Sequence, residues 1–315
     1  MRRPVILAEG EIAAPGTLAV DAPVPGAAAV YSHWQDGGAT PVELLADTST
    51  AMLVRAAEDE ARWLAPFTTV ANHHIDADGL LALACACRPD LTRRHGPLLI
   101  AAAEAGDFTN WTGPAAFRLM LTIHQRMRDQ PDGTALACAI TDGLDSLITE
   151  SQQPDAERDA AVTQVEDTIA RLQRRDGFAI ADHDACWSIA WTRRLGHATD
   201  VFGSVYRPDD LPLWALDAVV PRHVFQLTSE RTDDGWNHVL EAPRHSWART
   251  VDRPTVTWPD LTMLAEDLAR QEPGVRWCAR PAAGGIAFTG LLSGRGSQLS
   301  PEDVLHRRAA YQAAG

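Results

Sequence analysis

The segment that most constrains the fold is an apolar run ending at Asn72, a polar stretch from His73 to Gly79, and a second apolar run that starts at Leu80. Residues 67–72 read as a buried strand, and residues 80–87 as a helix rich in Ala, Leu and Cys. The stretch His73, His74, Ile75, Asp76, Ala77, Asp78, Gly79 therefore lies on a strand-to-helix turn. Open α/β sheets place their ligands there, outside the carboxyl ends of the strands. Gly79 would let the chain turn tightly into the helix.

The surrounding sequence repeats this alternation. Residues 5–8, 17–20 and 27–33 read as further short buried strands, and 40–45 and 50–64 as helices, the second with Thr48, Ser49 or Thr50 as its cap. Such alternation predicts a parallel sheet flanked by helices. Helical periodicity continues through 97–105, 115–128, 141–150 and 156–174. After Arg175, Asp176 and Gly177 the texture turns to strands, at 178–181, 201–205, 219–228 and 236–241, followed by an amphipathic helix at 260–271. The turn-rich residues 232–235 predict a hairpin. At about 150 residues per domain, a chain of 315 residues suggests two. The expected fold is α/β: a metal-binding domain at 1–175 with a helical layer, and a smaller α+β domain at 176–315 that binds substrate and closes over it.

Composition removes whole mechanisms. The chain has no lysine, so all 28 of its basic residues are arginine. Schiff-base chemistry, pyridoxal phosphate anchoring and the Walker phosphate loop all need a lysine amine. A formal net charge of -14, spread along the chain, disfavours duplex nucleic acid and anionic membranes. A small-molecule substrate remains, and an anionic one would need local arginines or metal ions. Five cysteines without zinc-knuckle spacing fit a reduced, cytoplasmic protein. No apolar stretch reaches the roughly 18 residues of a membrane span. A homodimer is compatible with all of this.

The chemistry centres on the polar turn. If the strand continued through them, His74, Asp76 and Asp78 would alternate onto one side. An imidazole with two carboxylates suits manganese first, with magnesium, iron or zinc as alternatives. His73, His74 and Asp78 are the catalytic candidates. The competing reading is that Asp76 or Asp78 merely caps the helix. Arg222, Arg244 and His245, with His223, Arg249 and Arg253 nearby, could form a cationic wall for a phosphate or carboxylate, or be ordinary surface residues. Asp182 and His183 could add a ligand from the second domain or lie in a solvated loop. Cys85, Cys87 and His124 read as structural, and neither Ser32 nor Ser246 sits in a nucleophile elbow.

Two registers of these residues resemble the DHH phosphoesterase superfamily. His74-Ile75-Asp76-Ala77-Asp78-Gly79 is similar to its opening motif His-x-Asp-x-Asp-Gly, which binds a manganese pair. Alternatively, Asn72-His73-His74 is similar to its Asp-His-His motif, with Asn in place of Asp. In that second register Tyr31-Ser32-His33-Trp34-Gln35-Asp36-Gly37 lies upstream like an opening motif, and Asp47 falls where a lone aspartate is expected. Ala105-Gly106-Asp107-Phe108 is similar to the segment that supplies the last metal-bridging aspartate. The resemblance covers roughly the first 110 residues. It implies His33, Asp47, His74, Asp76, Asp78 and Asp107 as metal ligands. The whole chain also resembles an uncharacterised actinobacterial family that shares the Asn- and His-led Asp-x-Asp-Gly segment. Three functions follow: a divalent-metal hydrolase for a small phosphorylated or anionic substrate, an iron-dependent oxygenase or lyase, or a non-catalytic relic that binds a ligand.

Overall fold

The structure, a computed structural model, describes residues 2–35, 37–38, 40–183, 186–191, 211–220, 225–241, 243, 245, 247–254, 261–280 and 291–314. The chain divides into two compact units, Met1–Val162 with Ala248–Pro254, and Thr163–Trp247 with Thr255–Gly315.

The first unit contains β1 (Arg3–Ile6), β2 (Thr17–Val20), β3 (Ala29–Tyr31), α1 (Ser49–Glu58), α2 (Glu60–Trp63), β4 (Thr69–Asn72), α3 (Ala77–Cys87), α4 (Pro89–Asp107), α5 (Pro114–Asp129), α6 (Gly133–Asp142) and α7 (Leu144–Ser151). Its four strands form an all-parallel sheet in the order β1-β4-β2-β3, flanked by helices as the alternation predicts. All four residues of β2 are buried, as expected where helices cover a parallel sheet. Helix α3 is buried along its whole length, which its Ala, Leu and Cys on every face allow. It packs against the sheet and against α1, α4 and α6. Burial pushes the Cys85 and Cys87 thiols up to about 12, so both act as core residues and not as nucleophiles.

Local chemistry explains where the observed elements depart from the expected ones. Residues 40–45 form turns rather than a helix, closed by Leu44 N–H to Pro41 O at 3.0 Å and Leu45 N–H to Val42 O at 3.3 Å. The helix expected over 50–64 breaks at Asp59, whose side chain accepts from Arg62 N–H and starts α2, while Thr48 caps α1. The helix expected over 141–150 divides at Gly143, and α6 begins earlier because Asp132 accepts from Thr134 and Ala135 N–H.

A distant stretch of chain completes this unit. Ala248 makes an antiparallel bridge with Trp34, and Arg249 N–H donates to His33 O at 2.6 Å. Arg253 is buried, pairs with Asp47, lies 3.2 Å from Glu104 Oε2 and stacks 4.6 Å above the Phe108 ring. Asp47 Oδ1 also accepts from Val251 N–H at 2.6 Å and Asp252 N–H at 3.0 Å. A cut at residue 175, the boundary drawn from sequence texture, separates Ala248–Pro254 from the sheet edge it binds.

Helix α8 (Ala156–Arg174) carries the division between the units. The second, smaller unit continues with β5 (Phe178–His183), β6 (Cys186–Trp191), α9 (Leu213–Asp217), β7 (Phe225–Thr232), β8 (Gly235–Glu241), α10 (Leu261–Gln271), β9 (Cys278–Arg280), β10 (Leu291–Ser297) and α11 (Pro301–Ala314). Its six-stranded sheet runs β5-β6-β7-β8-β10-β9, antiparallel except for the parallel pair β6 and β7. The expected hairpin is present, with Thr232 paired to Gly235. The strand expected at 201–205 lies outside the described residues, as do residues 221–224; of the strand expected at 219–228, Val219 and Val220 instead close a turn after α9 through bonds to Leu216 O, and the strand begins at Phe225. Leu227, Leu240, Leu264, Leu268, Trp277 and Val304 form the core of this unit. No described helix is long and apolar enough to cross a membrane.

Breaking a buried ion pair from one side leaves an uncompensated charge. Arg253→Ala is therefore expected to cost the first unit about 3–5 kcal/mol, read by urea denaturation, with Arg253→Met combined with Asp47→Asn recovering part of it.

Candidate metal centre

Chain segments leaving three parallel strands meet at the carboxyl edge of the first sheet. Asp21 directly follows β2 at φ 64, a left-handed conformation that Asp tolerates better than most residues. His33 lies just beyond β3, and His74 and Asp76 just beyond β4. The strand does not continue through the polar stretch, because β4 ends at Asn72 and α3 starts at Ala77. The alternation of His74, Asp76 and Asp78 on one extended segment is therefore replaced by a turn and a helix start. Asp76 is the N-cap of α3, its Oδ1 accepting from Gly79 N–H at 2.7 Å. Asp78 stands in the first turn and reaches the start of α1, where its two oxygens accept from Ser49 N–H and Thr50 N–H, each at 2.8 Å.

These side chains assemble into two groups, Asp21 with His74 and Asp76, and Asp21 with His33 and Asp78, each with one ligand atom per residue all within 4.8 Å of one another. Asp21 belongs to both. The donor set, neutral or anionic nitrogen and oxygen, fits a divalent metal. The two groups differ in access. His33 and Asp78 side chains are 0% exposed, whereas His74 and Asp76 are 30% and 31% exposed. One position is sealed and the other faces solvent.

Neighbouring groups aim these side chains, as the outer residues of metal sites commonly do. Buried Asn72 donates from Nδ2 to Asp21 Oδ2 at 3.1 Å, while its Oδ1 accepts from His73 N–H and His74 N–H at 2.8 and 3.1 Å. An aspartate could not make the first of these bonds without a proton, so the Asn in this motif fits a positioning residue. Trp34 Nε1–H donates to Asp21 Oδ1 at 3.2 Å, and its ring meets those of His73 and His74 edge-on at 6.3 and 5.7 Å. Ser49 Oγ shares a 3.0 Å hydrogen bond with His33 Nδ1. Gly79 is required for space rather than for a turn. A Cβ there would collide with Asn72 Nδ2 and lie 2.9 Å from Asp21 Oδ2.

Electrostatics show how crowded the acids are. Burial, then the charges of Asp76 and Asp78, hold Asp21 well above the usual carboxylate range. Burial and the charge of Asp76 raise Asp78 to about 6, despite the bonds from Thr50 and Ser49. Asp107, raised by burial and by Asp78, Asp76 and Asp21, stays well above its ordinary value. Burial lowers His33 to about 4, which leaves a neutral imidazole with Asp78 Oδ2 3.4 Å from Nδ1 and Asp107 Oδ2 3.4 Å from Nε2. Burial would lower His74 too, but the hydrogen bond and charge of Asp76, followed by Asp21 and Asp78, raise it to about 9. Asp76 falls below its ordinary value because its bonds from His74 and Gly79 outweigh burial.

The structure thus gathers His33, His74, Asp76 and Asp78, with Asp107 on the far edge of the His33 ring. It does not bring Asp47 into either group, because the returning segment supplies that carboxylate with a guanidinium and two backbone N–H donors. His73 stays half-buried against Trp34, outside both groups. Arg222 and Arg244 lie outside the described residues, and His245 is buried in a turn of the second unit. Asp182 is exposed on β5 opposite Trp187, and β5 ends at His183. Asp21 is the residue that motif reading passed over. It carries a signal all the same, being an aspartate placed directly after the apolar strand Leu18-Ala19-Val20.

Gly79→Ala is expected to displace Asn72 and Asp21 and to weaken any divalent-metal uptake by the two groups while leaving α3 helical, checked by calorimetric titration and circular dichroism. In the metal-free protein, the folded pKa of His74 lies above its unfolded value near 6.5. The stabilisation is therefore complete below about pH 6.5 and is lost as pH rises through about 9. Thermal melts across that window should show a decline that His74→Gln flattens.

No curated protein sequence matches the chain. A family model described as a family of unknown function, DUF6687, matches residues 7–306, and the chain belongs to that family.

Proposed function

We propose that the protein is a divalent-metal-dependent hydrolase acting on a small anionic substrate, with manganese as its metal. The observation that carries this reading is Asp21, one buried carboxylate shared by a sealed group and a solvent-facing group of ligands. A closed position suits a structural ion, and a position open to solvent leaves room for water or substrate. The resemblance of the Asn72–Gly79 segment to DHH phosphoesterases supports the same chemistry.

Four carboxylates, those of Asp21, Asp76, Asp78 and Asp107, converge on one edge with no lysine in the chain to balance them. Bound cations would relieve that repulsion and supply Lewis acidity toward a substrate oxygen and a water of lowered pKa. The protein's own groups then hold and orient. Asn72 and Trp34 fix the two oxygens of Asp21, and the start of α1 holds Asp78. His74 and Asp76, at the open side, share a hydrogen bond of 3.0 Å and are placed to hold or move a proton at Nε2.

Manganese at a hundred times its dissociation constant is expected to add about 2.7 kcal/mol of stability. Asp21→Asn should remove both that gain and the metal found by elemental analysis, because both groups lose their common ligand. Metal-loaded protein should hydrolyse members of a panel of phosphate esters and lose that activity to a chelator. Absence of metal uptake, or oxygen consumption in its place, would refute the reading.

A further inference from the structure

Two arginines on the returning segment Ala248–Pro254 have opposite surroundings. Arg253 is saturated, bound by Asp47 and Glu104 and stacked on Phe108. Arg249 is not. Its backbone N–H is fastened to the carbonyl of the site residue His33, and its neighbour Ala248 bridges to Trp34, which also holds Asp21. Its side chain is partly buried, yet Nε and Nη2 are shielded from solvent and meet no hydrogen-bond acceptor among the described residues.

A shielded guanidinium edge without an acceptor is costly, since the donors lose water and gain nothing in return. Nε and Nη2 form the side-on fork of arginine, two parallel N–H donors whose spacing matches two oxygens of a carboxylate or phosphoryl group. A carboxylate is within reach of this segment, whose residues 251–253 it binds. Asp47, on the same segment's docking surface, goes to Arg253 instead.

We propose that Arg249, whose backbone is fastened to His33, is a substrate-binding residue that receives an oxyanion, a phosphoryl or carboxylate group, through its Nε/Nη2 edge. This rests on the hydrolase reading for its place in a reaction, but the anion site itself requires only the geometry of Arg249. Anchoring through Arg253 and the bridge to Trp34 holds the backbone of Arg249 against His33. The chain's net charge of -14 offsets the pull of one guanidinium on stray anions, so recognition depends on two parallel hydrogen bonds rather than on net charge.

The test titrates inorganic phosphate, and separately acetate, into the full chain by calorimetry, with and without manganese. The stronger of the two probes identifies which oxyanion the fork prefers. Arg249→Gln is expected to weaken the preferred anion at least tenfold in both metal states, and Arg249→Lys to restore only part of the loss, because an ammonium lacks the fork. Manganese uptake should be unchanged in both variants, which separates this proposal from the metal reading. Thermal melting adds a readout that a structural role would move in the opposite direction. Since the fork has no hydrogen-bond partner among the described residues to lose, Arg249→Gln and Arg249→Met should melt at or above the wild-type temperature. Equal anion affinity in wild type and Arg249→Gln, no binding of either probe by wild type, or a melting temperature lowered by both substitutions would overturn it.

Discussion

Placing several carboxylates in one buried edge is the constraint on which the first unit depends. Ionised aspartates in a low-dielectric environment repel one another and resist desolvation, and Asp21, Asp78 and Asp107 all show that cost in their raised pKa values. The fold answers with backbone donors. The first turn of α1 gives Asp78 two N–H groups, and α3 gives one to Asp76, so two helix N-termini carry positive potential toward the acids. The central helix α3 places Asp76 and Asp78 where these donors are, and its apolar length fixes it against the sheet.

The same need for compensation explains the returning segment. Residues 248–254 bring to the first unit two arginines and two backbone N–H groups that donate to Asp47. Arg253 takes up the Asp47 and Glu104 charges, and the strand-like bridge to Trp34 ties the segment to the residue that aims Asp21. Stability of the sheet edge and geometry of the candidate site are in this way carried by the same few contacts.

Much of the architecture was legible in the chain. Leu18, Ala19 and Val20 before Asp21, Val70 and Ala71 before Asn72, and residues 80–87 are buried, so burial pattern and composition agree there. The structure does bring His74, Asp76 and Asp78 next to Asp21, but not through the strand alternation expected from the sequence. They meet Asp21 because the chain turns, not because a strand alternates. Asp47 reads as a ligand by spacing and is placed elsewhere, since spacing carries no information about which distant donor arrives first.

By itself the sequence determined the layered α/β pattern, the strand-to-helix turn at Asn72–Gly79 and the exclusion of lysine chemistry, because these depend on local periodicity and on residue types alone. Tertiary structure alone decided that Asp21 joins two groups that could hold a metal ion, that Asn72 serves as a donor, that Gly79 is needed for close approach, and that the shielded Arg249 fork meets no acceptor among the described residues. Each of those depends on groups from separate strands or from the far end of the chain meeting within a few ångströms. Such contacts are set by packing and by the pairing of buried charge, neither of which leaves a periodic trace in the sequence.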